Sequence, residues 1–225
     1  MTRRGAAGAA RAAAALAAAA AFTTVLAQHS AGSTFTAATD SAGNQVAAAA
    51  SFCATPGGTT VTVAADAWID QGSPAQNNGA DSNLHVRSKA PGGSPANQRA
   101  LVRFALPALP AGCALTAATL RLYNNSPLPG RTIAVYQADP AAPAWTENGV
   151  TWVNQPPTAG TAVTSVTAAA GWQQWAVTAQ VHAHYADPNN GFLIRDQTEN
   201  HPGGPRQSYL SRESGSDPAL VLSWG

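Results

Sequence analysis

From Cys53 onward, clusters of glycine and proline cut the sequence into short segments of alternating apolar and polar residues. Spacing of this kind directs a chain toward antiparallel β-structure. The alternating segments are Thr59 to Ala64, Asn83 to Arg87, Arg99 to Leu106, Leu115 to Tyr123 and Arg131 to Tyr136. Further along come Val163 to Thr167, Trp172 to Val177, Gly191 to Arg195, Ser208 to Arg212 and Leu220 to Trp224. Turn residues separate them at Pro91 to Gly93, Pro110 to Gly112, Pro127 to Gly130, Pro156 to Pro157 and Pro202 to Pro205. The stretch Thr178 to Tyr185 reads as the one helix, with Thr178 as its cap and Asp187-Pro188 as its stop.

The period of two also assigns faces. Ala118, Leu120 and Leu122 point inward, leaving Thr119, Arg121 and Tyr123 outside. Ala100, Val102 and Phe104 form a second inward set, with Arg99, Leu101 and Arg103 turned away. Leu84 and Val86 form a third, opposite His85 and Arg87. The expected fold class is all-β: an antiparallel β-sandwich with one short helix.

Composition narrows the function. Charged residues are 10% of the 225, against roughly 25% in an average domain, which disfavours coiled coils and long solvated helices. The six tryptophans argue against a disordered chain. A net charge of +1 excludes the electrostatic footprint of a nucleic-acid partner. Removing Arg3, Arg4 and Arg11 from the 12 cations leaves 9 against 11 acids, so the body of the chain is nearly neutral.

Those three arginines belong to a segment that reads as a secretory signal peptide, residues 1–27. Arg3 and Arg4 give a positive start, Ala12 to Phe22 an apolar stretch, and Val25 to Ala27 a small-residue cleavage site. The apolar stretch is shorter than the about 20 residues a membrane span needs, so no membrane association is expected once the leader is removed. Residues 28–52 form an Ala/Ser/Thr-rich linker, expected to be disordered together with the leader. Within it, Gly32 to Ala38 resembles the element that follows the signal peptide of SipW-type exported surface proteins. The compositional domain is thus residues 53–225, with a secreted, extracellular location. Cys53 and Cys113 are the only two cysteines, and in an exported chain an even pair is most simply a disulfide. Closing a loop of this length stabilises by about 3–4 kcal/mol in the chain-entropy picture.

A series of motifs follows in fixed order. It begins with Ala65-Asp66-Ala67-Trp68-Ile69-Asp70, then Ser73-Pro74 with Asn77 and Gly79, then Leu84 and Val86. Arg99 to Leu106 and Ala117 to Tyr123 come next, then Trp145-Thr146-Glu147, Gly149 to Trp152 and Gln155-Pro156. Trp175 to Thr178, Gly191 to Arg195, Ser211-Arg212-Glu213 and Pro218 to Leu222 complete it. Together they resemble DNRLRE domains, also grouped as carbohydrate-binding module family 96, over about Thr59 to Trp224. The resemblance implies a secreted jelly-roll sandwich of the kind attached to polysaccharide-active enzymes or bacterial surface proteins, some of which bind the anionic polysaccharide alginate. It places the motif letters on Asp66, Asn77, Arg99, Arg212 and Glu213. In a charge-poor domain these are read as structural anchors that pair and satisfy buried backbone groups.

The tests for chemistry point away from catalysis. Glycoside hydrolysis needs two carboxylates flanking one bond, and nothing in the sequence brings any two of Glu147, Glu199 and Glu213 together. There is no nucleophile elbow. His182 and His184 are two residues apart on the helix, a spacing that sends them to different faces. No redox or organic cofactor is expected. Asp66, Asp70, Asn77 and Asp81 form an oxygen-rich stretch open to a structural calcium ion. For binding, strands pairing as a meander would align Arg87, Arg103 and Arg121 on one outer face with His85 and Tyr123. Guanidinium forks on such a stripe suit the carboxylates of an acidic polysaccharide. Trp68, Trp172 and Tyr185 are the aromatic candidates for a neutral glycan. The leading expectation is therefore a non-catalytic polysaccharide-binding module. The alternative is a structural module of the matrix or cell surface without glycan affinity.

Overall fold

A computed structural model describes residues 52–90 and 96–225. The segments expected to be a signal peptide and a SipW-like element, and nearly all of the expected linker, lie outside the described residues. Each alternating segment forms a strand: β1 (Gly57–Asp70), β2 (Asn83–Arg87), β3 (Gln98–Phe104), β4 (Leu115–Ser126) and β5 (Thr132–Ala138). After these come β6 (Thr158–Val166), β7 (Gly171–Ala176), the helix α1 (Thr178–Ala186), β8 (Phe192–Asp196), β9 (Arg206–Leu210) and β10 (Ala219–Trp224). Thr178 does not cap α1. Val177 takes that position without a side-chain bond, and Thr178 Oγ1 instead accepts the Ala118 N–H at 3.0 Å.

All pairings are antiparallel, and they run β1-β10-β4-β9-β2-β3, with β3 returning to β1. Six strands therefore close on themselves. β8, β5 and β6 continue outward from β3, and β7 lies along the other edge of β4. This corrects the expectation of a two-layer jelly-roll sandwich. The reason is strand length: β1 and β4 outlast any single partner. β1 pairs β10 through Gly57 to Thr62, then shifts register between Val63 and Ala65 and pairs β3. β4 similarly changes from β10 to β9, with an irregularity at Asn124 to Ser126. Bulges of this kind bend a strand and increase its twist, which lets a sheet turn a corner and close. The seam between β2 and β3 is a single pair, Arg87 with Gln98.

The interior holds the apolar sets assigned by alternation. Leu84, Val86, Ala100, Val102, Phe104, Leu120 and Leu122 are buried beside Trp175, Phe192, Tyr209 and Leu222. Each fully buried large side chain stabilises by about 1.5–3 kcal/mol. The two buried rings with polar ends find partners: Trp175 Nε1 donates to the Ile133 carbonyl at 3.1 Å, and the Tyr209 hydroxyl contacts Gln173 Oε1 at 2.8 Å. Helix α1 adds Val181 to this core.

A second apolar cluster lies on the opposite face of β1 and β3. Ala65, Ala67, Ile69 and Leu101 meet Trp145 and Val150 there, with Trp152 at the margin. Leu101 is fully buried, although alternation turned it outward. The β5–β6 connection, residues 139–157, roofs this face and supplies the tryptophans. Its Trp145 is fastened by Nε1 donating to the Asn190 carbonyl at 2.8 Å.

The Cys53–Cys113 disulfide is present. It ties the entry of the chain to the turn before β4, and nearby Trp224 Nε1 donates to the Thr55 carbonyl. Entry, exit and mid-chain turn are thus fastened at one place.

Candidate functional site

β2 and β9 pair residue by residue from Asn83↔Leu210 to Arg87↔Arg206. Leu84 and Tyr209 of this ladder enter the core, so His85, Arg87, Arg206 and Ser208 stand on the outer side. His85 Nδ1 is 2.8 Å from Ser208 Oγ. The edge of its ring meets Trp68, with centroids 4.7 Å apart. Trp68 is held in turn by Nε1 donating to Asp81 Oδ2 at 3.0 Å. Burial, reinforced by the Arg206 charge, pushes the His85 pKa down to about 4. The imidazole is therefore neutral at pH 7 and offers a hydrogen bond rather than a charge.

Arg87 and Arg206 supply the charge, one opposite the other. Neither forms an ion pair among the described residues, whereas Arg99, Arg131, Arg195 and Arg212 all do. Arg87 Nε is buried without a partner, and burial together with Arg206 lowers the Arg87 pKa. Lys89 extends the positive edge, its Nζ resting on the Pro202 carbonyl at 3.2 Å. The β2–β9 surface thus combines an indole, a neutral imidazole and two guanidinium groups without an ion pair among the described residues, the charge of Asp70 acting on Arg87 from outside bonding distance.

The other members of the expected stripe lie elsewhere, because β3 and β4 are not neighbours. Asn124 and Leu84 both pair with Tyr209, which sets β4 and β2 level at those positions. Arg121 then stands three residues before that level and Arg87 three after it. At about 3.3 Å per residue the two are about 20 Å apart along the strands. Arg121 lies over the Trp172 ring at 4.7 Å, and Tyr123 meets the same ring edge-on at 5.5 Å. Arg103 is on the roofed face, over Trp145 at 5.1 Å. The structure therefore brings His85 and Arg87 together but not Arg103, Arg121 or Tyr123 with them. Tyr185 is partly buried and bonds the Pro107 carbonyl, while Trp172 is 41% exposed.

The motif anchors surround the roofed face. Asn77 Nδ2 donates to the carbonyls of Glu147 and Val150 at 2.7 and 2.8 Å, fixing the connection onto the loop between β1 and β2. Gly79 passes beneath Glu147 so closely that any Cβ there would strike its carbonyl. Arg99 grips Glu199 with Nε and Nη2 at 2.7 and 2.8 Å while lying over Trp152 at 4.5 Å. Arg212 reaches Glu147 and Glu213 at 2.8 and 3.1 Å. Asp66 accepts the Arg212 backbone N–H at 3.0 Å.

The oxygen-rich stretch does not converge on one point. Asp70 accepts from Gln98 and the Gly72 N–H, Asp81 from Trp68 and the Asn83 N–H, and Asn77 is committed to the connection. Only Asp66 keeps an unused oxygen, Oδ1, and it meets Glu147 and Glu213 rather than its sequence neighbours. Burial raises the Glu147 pKa, with Arg212 opposing and Glu213 adding to the rise. On α1, His184 is buried against Phe192 and His182 is exposed.

Arg206 is the functional candidate that sequence reasoning missed. The expected segment begins at Ser208, two residues after the strand does, although continuing the alternation backward puts Arg206 on the Ser208 face. The model of carbohydrate-binding module family 96 matches residues 58–224, from the start of β1 to the end of β10. A comparison with curated proteins returns no match. On the strength of a match over nearly the whole folded body, the chain belongs to carbohydrate-binding module family 96.

Proposed function

We propose that this chain is an exported, non-catalytic module that holds an acidic polysaccharide outside the cell, on the β2–β9 face. The supporting observation is the cross-strand pair Arg87 and Arg206, two adjacent guanidinium groups without an acid partner among the described residues. Guanidinium forks accept carboxylates in a bidentate manner, and uronic acids present one carboxylate per sugar. Trp68 and His85 supply a ring and a neutral hydrogen-bonding group beside them. The leader and the disulfide favour export.

Catalysis is not part of this reading. Glu147 and Glu213 share one guanidinium rather than flanking an open cleft. The groove beside Trp145 is lined by residues such as Pro143, Asn154 and Pro157 and carries no carboxylate. Electrophoresis of the full chain through gels containing a polyuronate, a neutral glucan or no glycan tests the proposal. Retardation by the polyuronate alone is expected. Equal mobility in all three gels would leave a structural module without glycan affinity.

A further inference from the structure

Three acids reach one point from distant parts of the chain: Asp66 from β1, Glu147 from the β5–β6 connection and Glu213 from the turn after β9. Each brings a carboxylate oxygen within 4.8 Å of the others. Arg212 occupies one oxygen of each, through its backbone N–H on Asp66 Oδ2, Nη1 on Glu147 Oε2 and Nε on Glu213 Oε1. That leaves Asp66 Oδ1, Glu147 Oε1 and Glu213 Oε2 outside its grip. Three carboxylates meet a single guanidinium, so full ionisation leaves an excess of two negative charges.

The Asp66 side chain is the second observation. The residue is only 1% exposed, and its Oδ1 has no hydrogen-bond partner. A buried carboxylate oxygen without a donor is costly, and native structures rarely leave one in that state. The geometry points to a divalent cation of calcium type bound between Asp66, Glu147 and Glu213, with Arg212 holding one oxygen of each acid. Oxygens held at about 2.4 Å from one calcium ion lie no more than about 4.8 Å apart, a limit that one oxygen from each of the three acids satisfies. The Glu213 side chain is 27% exposed, leaving a path for the ion and for the waters that complete its shell. Asn77 steadies the Glu147 backbone from below. Such an ion would fasten β1, the connection and the β9–β10 turn together. It requires nothing of the β2–β9 face, so this site and the glycan reading stand or fall separately.

The test uses the full-length chain stripped with chelator and titrated with calcium chloride by calorimetry, followed by thermal melts. One equivalent of calcium should bind. At about tenfold over its dissociation constant it should raise the melting temperature by about 3–6 °C. Asp66→Asn keeps an acceptor for the Arg212 N–H and should melt normally in chelator yet lose the calcium response. Glu213→Gln, at a more open position, should lose it as well and decides the matter where Asp66→Asn fails to fold. Absence of both saturable heat and a melting shift in the wild type would overturn the site. So would a calcium response in Glu213→Gln equal to that of the wild type.

Discussion

Arg87 and Arg206 are direct cross-strand partners, like charges facing each other on the outer side of β2 and β9. Like charges directly opposite in an antiparallel pair are destabilising, by roughly 0.2–1 kcal/mol. Arg206→Glu should therefore leave the fold unharmed or slightly more stable, because it converts repulsion into an ion pair. The same change should abolish binding of acidic glycans. Thermal melting and a glycan-retardation gel on one preparation read both effects, and they are expected to move in opposite directions.

His184 predicts an acid limb in the stability profile. Its imidazole is buried, neither ring nitrogen has a partner, and burial lowers its pKa to about 4. The unfolded chain protonates this histidine near pH 6.5. Between those values the unfolded state binds more protons, so stability falls as pH drops from about 6.5 through 4. At pH 7 both states are neutral and the effect vanishes. His184→Leu should reduce this limb, to which the similarly shifted His85 also contributes, retaining up to about 3 kcal/mol more of its own neutral-pH stability at pH 4 than the wild type does. Urea melts at pH 7, 5.5 and 4 give the comparison.

Asn77→Ala should free the β5–β6 connection. It removes two bonds to the carbonyls of Glu147 and Val150, a loss of about 2–3 kcal/mol for partly buried partners. Amide hydrogen exchange should accelerate over residues 146–150 while β4 and β10 stay protected. Uniform acceleration across the domain would show that the connection is not a separate unit.

Replacing Cys53 and Cys113 by serine should lower stability by about 3–4 kcal/mol. For a body of this size that corresponds to a melting temperature lower by about 10 °C. Because the bond joins the chain entry to the turn before β4, glycan binding by the β2–β9 face should be unchanged well below that temperature.

The strands were legible because the period of two survives wherever one face is buried. Every expected strand is present with its inward set intact, including Ala118, Leu120 and Leu122. Closure was not legible, since it depends on β1 and β4 changing partners midway through, and alternation carries no information about partners. The same gap explains Leu101. Its outward direction was correct, but the connection carrying Trp145 covers that face. The arginine stripe assumed that neighbours in sequence are neighbours in space. β3 instead lies between β1 on one edge and β2 and β8 on the other, which sends Arg103 under the roof and leaves Arg121 far along β4. The acidic cluster combines residues 66, 147 and 213, separations that no local motif could join.

The central claim is that two unpaired guanidinium groups hold an acidic glycan, and calorimetric titration of a defined oligouronate tests it most directly. Wild type and Arg87→Ala/Arg206→Ala would be compared at low and at high salt. Saturable binding that weakens as salt rises is expected, with a loss of at least tenfold in the double variant and melting unchanged. Affinity equal in both proteins and indifferent to salt would contradict it.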